Sequence, residues 1–141
     1  MNRISKKNRY YWLVLLLFLF LLRLGYGLCS EFWFPDELQV YLIGLKFYAS
    51  GNIPYFGADV VYTETQIPGA LQGLLVGLPF YVLKIPEAPF ILLNILSFAV
   101  LCLFALYLQK KFPEIPEWFT WIWLMTCPWT MNFSTHVLNP S

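Results

Sequence analysis

Charge is what this chain has least of. Asp, Glu, Lys and Arg make up 12% of its 141 residues, about half the share expected of a soluble globular domain. The net charge is +1, so no global field steers a polyanion, and a nucleic-acid-binding arm is excluded. Histidine occurs once, at His136, too few for a His-rich metal site. Cys29, Cys102 and Cys127 are an odd set without CxxC or Cys/His spacing, so no zinc site is spelled out. Cys102 and Cys127 fall in apolar runs, where a thiol behaves as a small hydrophobe. What fills the chain instead is apolar: 59% hydrophobic and 20% aromatic. That rules out a disordered tail and an ordinary cytosolic enzyme. The composition is that of a polytopic membrane protein.

Three stretches read as membrane spans. The first, 10–30, follows the basic cluster Arg3, Lys6, Lys7 and Arg9. Its 21 residues suffice for a ~30 Å hydrocarbon core at ~1.5 Å per residue. Arg23, about two thirds of the way across, is expected to snorkel outward. Tyr26 and Leu28 spoil a small-x-small cleavage site, so the segment is taken as an uncleaved signal-anchor with a cytoplasmic N-terminus. The second span is 88–108, interrupted only by Asn94 and Ser97 and followed by Lys110 and Lys111. The third, 118–133, opens on the interfacial belt Trp118, Trp121 and Trp123. The expected location is therefore the inner or plasma membrane, in a multi-pass topology.

Residues 67–85 are ambiguous, being long and apolar enough to cross. Lying in the interface instead, they leave the Lys110–Lys111 pair cytoplasmic, as the positive-inside rule favours. Pro79 and the glycines at 69, 73 and 77 also weaken a straight spanning helix. On the interfacial placement, 29–87 is one long extracytoplasmic loop carrying two surface helices, 36–50 and 68–84. The first shows Leu38, Tyr41, Leu42, Leu45 and Tyr48 at helical spacing, with Gln39, Lys46 and Ser50 off the stripe and Gly51 as its stop. The stretch 51–66 is expected to be an ordered loop, with Tyr55, Phe56 and Tyr62 in its core. Gly69, Gly73 and Gly77 form a small-residue stripe that admits a close helix neighbour. The fold class is all-α: about three transmembrane helices and two interfacial ones.

The acidic pair Asp36–Glu37, between Pro35 and an apolar helix, is the candidate for chemistry. Carboxylates next to Phe32, Trp33 and Phe34 at a membrane surface are partly desolvated, which raises a carboxyl group towards general-base use. The same residues also serve a plain structural purpose: Asp36 is a good N-cap, and Glu37 suits a first helical turn. Both roles stay open, and one residue can fill both.

A signal-anchor, an Asp-Glu pair opening a surface helix, the Gly51-Asn52-Ile53-Pro54 turn, a second helix led by Pro68, and a span preceded by Pro86-Glu87-Ala88-Pro89 together resemble the GT-C glycosyltransferases. The nearest subgroup holds the protein O-mannosyltransferases and aminoarabinose transferases. The resemblance covers nearly all of the chain. It implies an integral membrane enzyme that takes a sugar from a polyprenyl-phosphate carrier at the outer face, with inversion at the anomeric carbon. Asp36 maps onto the base that activates the acceptor, with Glu37 beside it. Members differ in their use of a divalent metal, so the resemblance implies no definite cofactor. It also implies three spans too few to enclose a lipid-sugar groove, hence an N-terminal portion of a longer enzyme, inactive alone.

Two positions depart from the pattern. Gln66, near Glu64, stands where relatives carry a basic residue; it can hydrogen-bond a phosphate but not neutralise it. No carboxylate follows the third span, leaving His136 and Asn139 as the polar substitutes for substrate or phosphate binding. Two other readings compete. One is a non-enzymatic small membrane subunit that packs on a partner through its Gly-xxx-Gly helix. The other is a transporter fragment, for which Arg23 is the sole charge inside a span.

Overall fold

The computed structural model describes residues 6–30, 35–59, 65–68 and 70–136, with the side chains of 6–9, 35–36 and 67–68 outside that description. Among the described residues there are six α-helices: α1 (Lys6–Cys29), α2 (Pro35–Ser50), α3 (Leu71–Gly77), α4 (Ala88–Lys111), α5 (Glu117–Thr126) and α6 (Pro128–Thr135). A single 3-10 turn, Leu78–Tyr81, continues α3. Two helices are long and apolar enough to cross a membrane, Tyr10–Cys29 within α1 and Ala88–Lys111.

Those two run antiparallel. Gly27 of α1 lies against Asn94 of α4, and one turn or two further down, the Phe20 and Phe98 rings meet edge to face at 5.3 Å. The pair α5–α6 runs alongside α1 in the same direction: Trp12 packs on Trp121 near one end, and Ser30 meets His136 at the other. Leu19, Ala105, Trp121, Leu124 and Met125 form the dry centre of this three-element bundle. Gly27 allows a close approach where the three elements converge: a Cβ there would sit 3.0 Å from both Asn94 Nδ2 and Thr135 Cβ, tighter than ordinary contact.

The third expected span, 118–133, is not one helix. It breaks at Cys127, whose backbone is extended (φ −56°, ψ 131°). The cause is Pro128, which has no N–H to give the Leu124 carbonyl and no room for a continuous turn. The stranded carbonyls are taken by side chains. Thr130 Oγ1 donates to Leu124 O at 2.7 Å. Arg23 Nη1, from α1, donates to Met125 O at 2.7 Å, and Nη2 donates to Thr130 O at 3.0 Å and to Ser134 Oγ. Arg23 is 0% exposed. It therefore does not snorkel outward as expected; it turns into the bundle and bridges the broken helix.

A second layer covers one end of α4. The face of α2 that packs is Glu37, Val40, Tyr41, Gly44 and Tyr48, against Val76, Phe80 and Ala88. The stripe expected from spacing thus divides: Tyr41 and Tyr48 turn inward, while Leu38, Leu42 and Leu45 stay exposed. Helix α3 meets α2 through glycine. A Cβ on Gly73 would come within 2.5 Å of Ile43 Cγ2, one on Gly77 within 2.6 Å of Gly44 O, and one on Gly44 within 2.6 Å of Val76 Cγ1. The small-residue stripe is thus occupied from within the chain; Gly69 lies outside the described residues.

Among the described residues of 67–85, no helix is long enough to cross a membrane: helical structure runs over Leu71–Tyr81, about 16 Å at ~1.5 Å per residue, roughly half of what a bilayer core needs. The surface helix expected over 68–84 is correspondingly shorter. Phe56–Asp59 (β1) pairs antiparallel with Gln66–Pro68 (β2) as a two-stranded ribbon, where an ordered loop over 51–66 and a helix beginning at Pro68 were expected. Gly51, at φ +70°, ends α2 in the left-handed conformation that glycine adopts without strain.

Candidate functional site

The acid pair lies in the first turn of α2. Pro35 is the first helical residue, suited to that position by its fixed φ and missing N–H. Asp36 and Glu37 are therefore inside the helix, where carboxylates favour the N-terminal dipole, and Asp36 is not the N-cap that the spacing suggested. The Asp36 side chain lies outside the described residues. Glu37 is 1% exposed, on the packed face of α2 one turn before Val40 and Tyr41. A carboxylate taken wholly out of water is costly and is retained only with compensation, which sets Glu37 apart from an ordinary first-turn acid.

Tyr41 stands next along that face. Its ring stacks on Phe90 at 6.1 Å and meets Phe80 edge-on at 5.9 Å. Its hydroxyl donates to Pro86 O at 3.1 Å, tying α2 to the entry of α4. Burial, reinforced by the Glu87 carboxylate, pushes the Tyr41 phenol above its usual range. The acidic end of α2 is thus fixed against the Pro86–Pro89 corner by aromatic packing and one hydrogen bond.

The other expected site residues fall in different places. His136 is buried, at the far end of α6. Its Nε2 is 2.8 Å from Ser30 Oγ, and its Nδ1 is 3.0 Å from Thr135 Oγ1 and 3.2 Å from Asn132 O. Both ring nitrogens thus face protein atoms, and the imidazole joins the ends of α1 and α6. Gln66 is exposed on β2, lining the same cleft as Lys46. Glu64 and Asn139 lie outside the described residues. Among the described residues, no three His, Cys, Asp or Glu side chains gather where they could hold a metal.

The residue that spacing could not reveal is Arg23 in its true role. Its four nearest acceptors are Met125 O, Met131 Sδ, Thr130 O and Ser134 Oγ, two of them backbone atoms more than a hundred residues away. The one available signal was Pro128 inside an apolar run, which announces carbonyls in need of donors. Beside Arg23, Asn94 Nδ2 donates to Arg23 O at 3.4 Å and Ser97 Oγ to Ser134 O at 2.7 Å. The polar interruptions of α4 thus face the same seam. No protein-family model matches this chain, and no curated protein or solved structure matches it either.

Proposed function

We propose that the chain belongs to an integral membrane glycosyltransferase, which passes a sugar from a polyprenyl-phosphate carrier to an acceptor at the extracytoplasmic face. The observation that carries this is the acid pair at the start of α2. One member, Glu37, is fully buried, and α2 is held against the mouth of a bundle with two long apolar helices. In this role α1 and α4 cross the membrane, and α5–α6 makes a third, broken pass. Helices α2 and α3 lie at the outer surface, with the N-terminus in the cytoplasm. Asp36 acts as base: it takes the acceptor's hydroxyl or amine proton as the acceptor attacks the anomeric carbon, and the lipid phosphate leaves with the bonding pair. Glu37 holds the turn that presents it.

The competing assignment as a packing subunit loses its feature, since Gly73 and Gly77 already receive α2 of the same chain.

The test uses the full-length protein and a polyprenyl-phosphate-sugar donor. Asp36→Asn keeps side-chain size and is expected to lower transfer by about 10²-fold or more, the scale of a lost general base. The fold should survive, because the change removes a dipole interaction of only about 0.3–1 kcal/mol. Near-normal transfer by the well-folded variant would leave Asp36 a first-turn helix acid and end this assignment.

A further inference from the structure

His136 is the one histidine of the sequence and is 5% exposed. It closes the end of the bundle where α1 stops and the chain leaves for the acid-bearing helix. The neighbours of its ring decide which protons the ring carries. A neutral imidazole has one donor nitrogen and one acceptor nitrogen, so it calls for one partner of each kind. An imidazolium has two donors and calls for acceptors on both sides.

On the Nε2 side stands Ser30. Its Oγ lies 2.8 Å from Nε2 and 2.5 Å from Tyr26 O. A carbonyl can only accept and a hydroxyl has one proton, so the Ser30 proton points to Tyr26 O. Towards His136, Ser30 Oγ therefore offers a lone pair, and Ser30 O, at 3.4 Å, offers another. The Nδ1 side repeats the pattern. Thr135 Oγ1 is 3.0 Å away, but its proton goes to Met131 O at 2.5 Å. The other neighbour is Asn132 O at 3.2 Å, again a carbonyl. These four atoms are all acceptors. A neutral ring would set a bare lone pair against two oxygens in a buried place, which is repulsive as well as unsatisfied.

The ionisable groups around the ring are few. Tyr26 of α1 meets it edge-on at 6.1 Å, with its hydroxyl donating to Asn132 Oδ1. Cys29, beside Ser30, is exposed. Arg23, two turns down α1, directs Nη1 and Nη2 to Met125 O, Thr130 O and Ser134 Oγ. Helix α6 and the first ten residues of α4 carry no ionisable side chain. Glu31 follows Ser30 in the sequence and lies outside the described residues.

We propose that His136 is a pH-sensitive latch: as an imidazolium it donates from both nitrogens and clamps the end of α6 to Ser30 of α1, and loss of a proton releases the clamp. The latch is independent of what the acid pair does. Its sign follows from the protonated form belonging to the folded state. The stability it adds is complete below about pH 6.5, the ordinary value for imidazole, and is lost as pH rises above it.

The test uses the full-length protein in detergent, purified on a tag without histidine. Between pH 5.5 and pH 8.0 the melting temperature should fall by about 3 °C or more. His136→Gln, with no ring to titrate, should lack that fall, and Ser30→Ala should reduce it. Equal falls in the native protein and His136→Gln, or no fall in either, overturn the latch. The second measurement needs no substitution and decides the matter if His136→Gln does not fold. With ¹⁵N-histidine labelling, a signal from this chain comes from His136 alone. At pH 5.5 both ring nitrogens should bear protons that exchange slowly with water. A single N–H beside a bare nitrogen at that pH would show a neutral tautomer and overturn the latch outright.

Discussion

At the scale of single residues, Tyr41 joins the acid-bearing helix to the rest of the molecule through one hydroxyl. Its phenol is held in the protonated form by burial and by the nearby Glu87 carboxylate, and that hydroxyl donates to Pro86 O. A phenol whose folded pKa is raised contributes its stability fully below the unfolded value of about 10, and loses it as pH rises through the folded value. Thermal melts of the protein should therefore fall off above about pH 10. Tyr41→Phe should lose up to about 1 kcal/mol at neutral pH, the worth of one partly exposed hydrogen bond, and should show a shallower alkaline decline. An identical decline in the variant would mean that Tyr41 does not govern it. Glu37, one turn earlier, illustrates what composition hides. Its identity was plain in the sequence, but its burial depends on α2 rolling inward on Gly44, which apolar spacing alone does not show.

At the scale of elements, the pair α5–α6 is the least regular and the most informative. The expected span 118–133 ran straight through Pro128, and the structure shows a break there and how it is met: Thr130 and Arg23 supply donors to the carbonyls that lost theirs. Arg23→Met should therefore destabilise the protein by about 2–5 kcal/mol, since each buried acceptor left bare costs about 1–3 kcal/mol. Pro128→Ala gives Leu124 O a backbone donor again and allows the helix to close over the break. In the Pro128→Ala background, Arg23→Met should cost markedly less. Equal losses in both backgrounds, measured by thermal melts in detergent, would show that Arg23 serves something other than the break. Hydropathy placed the two long helices well, because a run of about twenty largely apolar residues has few other uses. It overestimated the length of the surface helix expected over 68–84: helical structure covers Leu71–Tyr81, and Ile67, Val82, Leu83 and Ile85 fall outside it.

At the scale of the whole molecule, α1 and α4 are antiparallel, and residues 109–117 lie at the opposite end from the Ser30–His136 junction. In the proposed topology, with α1 entering from the cytoplasm, a cysteine at Gln109 should resist membrane-impermeant thiol reagents in intact cells and react after permeabilisation. Labelling in intact cells would reverse the orientation and place the acid pair on the cytoplasmic side. The all-α class and the two long apolar helices were legible because hydropathy acts locally along the chain. The site was less so. Gln66 and Lys46 are brought to one cleft by the β1–β2 ribbon, and His136 meets Ser30 only after three helices have packed.

The arginine across the helix break also bears on how the chain is made. Arg23 and the carbonyl it grips are 102 residues apart, which at roughly 5–20 residues per second means about 5–20 s of synthesis. In the proposed transmembrane placement of α1, the first segment stays in the membrane throughout that interval with a bare cation, at about 2.5–3.5 kcal/mol for a central position and less nearer the surface. Its leucines and phenylalanines can outweigh that sum, but the margin is temporary capital held against a later contact. A nascent chain arrested before residue 125 would be left with an unmatched charge in the bilayer, recognisable to quality control as unfinished.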